Sequence, residues 1–376
     1  MITHVYPDDD HHLQTIANLL GAASKIVTLA GAGISTNAGI PDFRSKNGTY
    51  SRGYRHLFRS SVLVDTESRH HFYENIAKMR QAAMDADPTK THRFIRNLHD
   101  AGKLVRHYTQ NIDCLEEKTG LSTDARTGLE SVECVLLHGS LHRFRCSYCL
   151  ATFRQEVDRE METDLDPESP CPACTKISND RKARGKRASA IGRLRLDIVL
   201  YDELDPRAES ISAVVRYDQS LRLDVFLIMG TSLATDGVRR LLRDFAEVIH
   251  ERRVGKVVFV NLTKPAKSWD NVIDYWIKWD CDAWVGDLME RQPALDPSAA
   301  TFGVPLHLPL LENAQHPSRG GAGTSADDAI LISSDDESDD DLDEGRSDTS
   351  FKSLDGLLQN ARNKVKSGRV TGTGIK

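Results

Sequence analysis

Cys146, Cys149, Cys171 and Cys174 form two Cys-x2-Cys pairs separated by 21 residues. Thiolates at this spacing close a tetrahedral shell around one Zn2+. Four sulfur ligands leave no open position for a reactive water, so the metal's role is structural. A second constellation runs from Gly31 to Arg44 as Gly-Ala-Gly-Ile-Ser-Thr-Asn-Ala-Gly-Ile-Pro-Asp-Phe-Arg. A strand ending in Gly-Ala-Gly lets backbone N–H groups approach a pyrophosphate, with a helix N-terminus beyond it. As a dinucleotide fingerprint it is imperfect, because Thr36 stands at the sixth position and no acidic residue follows about 20 positions on. Spacing alone leaves open a tight turn without a ligand. Asp42, Phe43 and Arg44 tip the balance by adding a carboxylate, an aromatic face and a guanidinium just past the turn.

Two further groups stand at the ends of apolar runs. Thr109-Gln110-Asn111-Ile112-Asp113 follows Leu104 to Tyr108, and His138-Gly139 follows Val135 to Leu137. Carboxamides and a carboxylate at the carboxyl end of a parallel strand lie where α/β sheets bind ligands, although Asn and Asp are also ordinary loop formers. A lone His is more often structural than catalytic, but an imidazole titrating near neutrality there can serve as a general base. Cys114, Cys134 and Cys281 default to small buried hydrophobes.

The elements that must position these residues are short apolar, β-branched runs: Lys25 to Ala30, Leu104 to Tyr108, Val135 to Leu137, Ile198 to Tyr201, Val225 to Met229 and Val257 to Val260. Several are parted by helix-like segments such as Val238 to Glu251, which makes a parallel α/β sheet the economical arrangement. Residues 46–103 break this rhythm with amphipathic stretches at His71 to Met84 and Thr91 to His99, read as a helical insertion. Residues 141–195 hold both cysteine pairs with few residues able to build a core of their own, so this module calls for a metal.

The chain has 376 residues and a formal charge of −6, but ten of its carboxylates fall between Asp327 and Glu344 with no base among them. The rest therefore carries +4, a mildly basic body with an acidic tail. From about Ala314 onward the composition is Gly-, Ser- and Asp-rich and predicts disorder. The absence of a long apolar run and of a signal-like start disfavours a membrane span and secretion. Cysteine usage suits a reducing, intracellular compartment.

Taken in order, Gly31 to Arg44, Thr109 to Asp113, His138-Gly139, the cysteine pairs, Gly230-Thr-Ser232, Asn261-Leu-Thr263 and Cys281-Asp282 resemble the sirtuins, NAD-dependent protein-lysine deacylases. The likeness runs from Lys25 to Trp284. Phe58 to Ser68, His71-Phe-Tyr73 and Asp197 to Glu203 look most like the fungal nuclear histone deacetylases. The resemblance implies a Rossmann-like parallel sheet (about 20–45, 104–140 and 196–295) with a smaller helical and four-cysteine zinc part, a catalytic domain over 1–295, and a tail over 296–376.

It also implies roles. Gly31, Ala32, Gly33 and Ser35 would lie against the NAD phosphates, and Asp42, Phe43 and Arg44 on a loop closing over the nicotinamide ribose. Gln110, Asn111, Ile112 and Asp113 would form the nicotinamide pocket, with Asn111 in the catalytic set and Asp113 accepting from the carboxamide. Gly230, Thr231, Ser232, Asn261 and Leu262 would hold phosphate and adenosine ribose, and Cys281 would sit near the adenine. NAD is then consumed as a ribosyl donor: the acetyl-lysine oxygen attacks C1′ as nicotinamide leaves, and His138 acts as base so that the acetyl group moves to ADP-ribose. The implied substrate is an acetylated histone and the implied compartment the nucleus.

One departure is Tyr201-Asp202-Glu203 where the family has Phe-Gly-Glu, which adds a negative charge beside the peptide groove and favours a basic peptide. Leu196 likewise replaces a usual Pro. Outside the shared motifs, five bases between Arg181 and Arg187 read as a solvated loop, a nuclear import signal or a contact to DNA in chromatin. Ile330-Leu-Ile332, followed by Ser333, Ser334 and acids, reads as a strand-adding segment for a small modifier protein, a phosphorylated stretch, or a solubilising tail. The competing functions are a mono-ADP-ribosyltransferase on the same scaffold and a chromatin-binding module without catalysis, with a hydride-transfer dehydrogenase a distant third.

Overall fold

Strand β2 (Ile26–Ala30) and strand β8 (Val225–Met229) are buried at all five positions. Continuous burial of this kind requires helices on both faces of a parallel sheet. The computed structural model describes residues 1–44, 48, 54–123, 132–154 and 168–297, all within the compact unit Met1–Asp336. The acidic run Asp327 to Glu344, the triplet Ile330 to Ile332 and nearly all of the 296–376 tail lie outside the described residues.

In chain order the remaining elements begin with β1 (Thr3–Val5), α1 (Asp10–Ala22), α2 (Thr66–Asp85), α3 (Lys90–Asp100), β3 (Leu104–Thr109) and α4 (Leu115–Lys118). They continue with β4 (Cys134–Leu136), β5 (Gly139–Cys146), β6 (Thr152–Arg154), α5 (Pro172–Ala183), β7 (Leu194–Ile198) and α6 (Ala208–Gln219). The last are α7 (Asp236–His250), β9 (Lys256–Val260), β10 (Tyr275–Ile277) and α8 (Cys281–Arg291). The large sheet has seven parallel strands in the order β1-β10-β9-β8-β2-β3-β4, and a small antiparallel sheet has the order β6-β5-β7.

Alternation along the strands sorts the core into two layers. Val27, Leu29, Phe226 and Ile228 meet Val214, Leu241, Phe245 and Ile249 of α6 and α7. Ile26, Ala30, Val225 and Leu227 meet Leu13, Ile16, Phe94, Leu98 and Trp284 of α1, α3 and α8. Helix starts are capped locally: Asp9 accepts from His12 N, Asp65 from Ser68 N, and Thr89 with His92 forms a reciprocal box at α3.

A third core joins Leu57, Phe72 and Ile76 to Leu141, Phe144, Leu194 and Leu196, with Cys146, Cys171 and Cys174 among them. The insertion and the cysteine module therefore share one interior and make a single lobe.

Three expectations change. The insertion stops short of residue 103, because Phe94, Ile95 and Leu98 turn α3 onto the large sheet. Ile198 to Tyr201 is no strand of that sheet. β7 ends at Ile198 and pairs antiparallel with β5, while Tyr201 bridges Arg59. A short apolar run carries no period that says which sheet it will join. The segment after Gly31 forms two 3-10 turns, Ala32–Ile34 and Thr36–Ala38, rather than opening an α-helix. No helix among the described residues is long and apolar enough to cross a membrane.

Candidate functional site

The carboxyl ends of β2, β3, β4, β8 and β9 converge on a cleft of about 330 Å³. The small lobe faces it with Phe58 and residues 198–201. Gly31, Ala32, Gly33, Asp42, Phe43, Arg44, Gln110, Asn111, Ile112, His138, Gly230, Thr231, Ser232 and Asn261 all line this cleft. Ligands of open α/β sheets bind at such strand ends.

The glycines have a packing role that the pyrophosphate argument does not supply. Gly33 N donates to Gly230 O (2.8 Å) and Gly31 N to Met229 O (3.1 Å). A Cβ on Gly33 would lie 2.7 Å from Gly230 Cα, so the two turns touch backbone to backbone. The N–H groups of Gly31 and Gly33 are thus already engaged.

Beneath them Ser35 and Asp113 do not line the cleft but hold it. Ser35 Oγ donates to Asp113 Oδ2 (2.8 Å), and Asn111 Nδ2 donates to Ser35 Oγ (3.1 Å) and Gly31 O (3.3 Å). Burial, together with the nearby Glu116 carboxylate, pushes Asp113 up to about 7. Asn111 is fixed by its donors, while its buried Oδ1 has no partner in the protein. A buried carbonyl without a donor calls for a ligand or water to supply one. Gln110 Nε2 donates to Thr231 Oγ1 (2.7 Å), tying the loops after β3 and β8 together.

His138 follows β4 by two residues, and Gly139 sets the turn. Gly139 has φ of 90°, and a Cβ there would lie 2.0 Å from Asp197 O. His138 Nδ1 lies 2.9 Å from Gln110 O. A carbonyl only accepts, so Nδ1 carries the proton and Nε2 is left as the base. Burial lowers the His138 pKa, helped by the charge of Arg207 and opposed by the Gln110 bond and Asp205, so the ring is neutral at pH 7. Phe43 meets Phe58 edge-on at 5.5 Å, placing apolar surface across the cleft.

Leu262 and Cys281 fall outside the cleft. Leu262 is largely exposed, and buried Cys281 directs its Sγ toward Val260 O. Phe58, Val199, Leu200, Thr235 and Thr263 line the cleft without having been assigned a role. The resemblance touched the segments of all but Thr235, and Thr235 carries only the signal of a residue preceding a helix. At the rim Asp202 has a φ of 69° and meets Arg59 at 3.5 Å. Glu203 is turned away into a bidentate pair with Arg195 (2.6 and 2.8 Å).

In the small lobe the four thiols converge, with all Sγ atoms within 4.8 Å of one another. The Cys146–Cys174 and Cys149–Cys171 sulfurs are 3.9 and 3.7 Å apart. A Zn–S bond of about 2.3 Å gives tetrahedral sulfur separations of about 3.8 Å, so the set fits one Zn2+. Backbone N–H groups of Tyr148 and Cys149 point at Cys146 Sγ, and that of Cys174 at Cys171 Sγ, as thiolates require.

Residues 31–236 match the model of the Sir2 family. The NAD-dependent histone deacetylase HST3 of Candida albicans is 37% identical over 319 residues, covering 78% of this chain and 65% of that protein. HST3 of Saccharomyces cerevisiae is 37% identical over 76% of this chain and 69% of its own. The chain thus spans about two thirds of the length of these relatives. The fold matches a crystal structure of a Sir2 homologue with NAD at a TM-score of 0.58 and 23% identity, over 78% of this chain and 98% of that one. The family match takes in the glycine turns, Asn111, His138, the Gly230 loop and all four cysteines, and leaves out Asn261 and Thr263 of the cleft. The chain belongs to the Sir2 family.

Proposed function

We propose that the protein is an NAD-dependent protein-lysine deacetylase acting on histones, moving the acetyl group to ADP-ribose with release of nicotinamide. One observation carries the reading: His138, neutral and with its Nε2 left unprotonated, faces the same cleft as the unpartnered Oδ1 of Asn111. That pairing matches a reaction in which a ribose hydroxyl must lose a proton beside a bound carboxamide.

NAD, when bound, supplies the activated ribosyl centre that the acetyl oxygen attacks. Each residue then has a task. Gln110 and Thr231 brace the loops that would hold the phosphates. Asn111 would orient the nicotinamide ribose, with Ser35 and Asp113 fixing its side chain from below. Phe43, on Phe58, would shield the centre from water, whose entry would give hydrolysis instead of transfer. His138 Nε2 would take the hydroxyl proton while Gln110 O holds the ring. Leu262 and Cys281 would act, if at all, on the adenosine side, from outside the cleft. Zinc would hold the lobe that carries Phe58 and the peptide-binding edge, four thiolates leaving it no catalytic position.

The histone target is supported by the names of the relatives and by the carboxylate of Asp202 at the rim. The Asp202 contact with Arg59 is loose, at 3.5 Å with both side chains more than half exposed, whereas Glu203 is held in a bidentate pair with Arg195 and adds nothing to that charge. A nuclear location and a part in transcription control belong to the same reading, as does a modifier-binding role for Ile330 to Ile332.

The test is nicotinamide release from NAD by zinc-loaded protein, with and without an acetylated histone peptide, beside His138→Ala. Release that needs the acetyl-lysine and disappears in the variant supports the reading. Release without peptide, or none with any acylated peptide, overturns it.

A further inference from the structure

We propose that the outer face of the zinc lobe is a docking surface for a protein partner that presents carboxylates around an apolar anchor. The face lies outside the cleft and is independent of the deacetylase reading.

Its base is α5. Ile177 and Arg181 fall at i and i+4, one stripe of the helix, and Arg184 caps its carboxyl end. Beyond the helix the chain turns back at Gly185, whose φ is 68°. Arg181 Nε donates to Arg187 O (3.0 Å) and Ser178 Oγ to Ser189 O (3.2 Å), which lays the return segment along the helix. The five bases between 181 and 187 are therefore gathered on one folded surface. All five are exposed, and among the described residues none forms an ion pair. Basic residues in the last turn favour the helix dipole, but that accounts for Arg181 and Lys182 alone.

The same helix, the return segment and the turn of the first cysteine pair carry exposed apolar side chains. Ile177 is 54% exposed, Tyr148 64%, Leu150 53% and Ile191 43%. Gly192 brings the turn of the first cysteine pair against the return segment: a Cβ there would lie 2.5 Å from Tyr148 Cβ, and Ser147 N donates to Arg193 O (2.9 Å). Apolar surface rimmed by polar groups marks a protein interface, where arginine and tyrosine are enriched. A phosphate backbone would use the bases and gain nothing from the aliphatic groups. The mixture therefore points to an acidic protein surface rather than to nucleic acid.

The experiment measures fluorescence anisotropy with the full-length, zinc-loaded protein and three probes at one ionic strength. These are a Glu-rich peptide carrying two leucines, the same peptide with serines in their place, and a short DNA duplex. The leucine peptide should bind about tenfold more tightly than the serine peptide, as burial of one or two apolar side chains implies. Ile177→Ser should abolish that difference. Lys182→Glu with Lys186→Glu, which spares the Arg181 to Arg187 bond, should weaken both peptides by about tenfold or more. Zinc content and nicotinamide release, unchanged in these variants, keep the result separate from misfolding and from the catalytic reading. Tighter binding of the duplex with Ile177→Ser silent would make this a nucleic-acid surface and overturn the proposal. So would failure of the leucine peptide to outbind the serine one.

Discussion

In the sheet domain β2 and β8 are buried at every position between two apolar layers, whereas the small lobe gathers Leu57, Phe72, Phe144 and Leu194 around three buried cysteines. The first region has enough apolar surface to hold itself together. The second uses four thiols where the first uses whole strands. The cleft lies between them, with His138 and Asn111 on the self-sufficient side and Phe58 and Tyr201 on the metal-held side. On the proposed reading, chemistry would sit on the sheet domain and peptide recognition on the lobe that carries the four thiols.

Removing the metal should break this contrast most completely. A structural zinc is worth on the order of 10 kcal/mol, more than the small lobe can replace. Chelation should abolish hydrogen-exchange protection in β5, β7 and α5 while sparing β2, β8 and β9. All four tryptophans, Trp269, Trp276, Trp279 and Trp284, pack in the sheet domain, so their emission should barely change. Loss of the tryptophan signal together with the lobe would mean the two regions fold as one.

Next in size is the base. His138→Ala should lower acetyl transfer by about 10²- to 10⁴-fold with the thermal transition hardly moved. The pH profile sharpens the point. Burial holds folded His138 below the ordinary imidazole pKa, so the acid limb of the rate profile should lie below the range where a free imidazole titrates. The unfolded chain accepts that proton more readily, so the stability associated with His138 is present at neutral pH and declines as the pH drops. An acid limb at or above pH 7 in the rate profile would contradict the assignment.

Gly139→Ala should cost about 3 kcal/mol in denaturant titrations, since its Cβ would meet Asp197 O at 2.0 Å in a left-handed backbone. Because Gly139 joins β4 of the sheet to β5 of the lobe, both regions should loosen together. The smallest effect belongs to Ser35→Ala. Removing the hydroxyl that links Asn111 to Asp113 should cost about 1–3 kcal/mol and raise KM for NAD, read by steady-state kinetics.

The sheet's central strands were legible because a fully apolar, β-branched pentapeptide such as Val225 to Met229 has few other fates. The metal site was legible because cysteine spacing translates directly into ligand geometry. Ile198 to Tyr201 was misplaced because its apolar run is equally at home in either sheet, and only long-range packing against Arg59 and Gly139 decides. The bonds from Ser35 to Asp113 and from Gln110 to Thr231 join residues far apart in sequence, so spacing could not announce them. Beside the phosphate role that spacing suggests for the glycines, the contact of Gly33 with Gly230 is a second demand that no local pattern shows.

The most direct test of the account is the identity of the products formed from NAD and an acetylated histone peptide, resolved by mass spectrometry over a single turnover. Acetyl-ADP-ribose, nicotinamide and deacetylated peptide in equal amounts are the predicted result. Free acetate in place of acetyl-ADP-ribose, or ADP-ribose attached to protein, would contradict it.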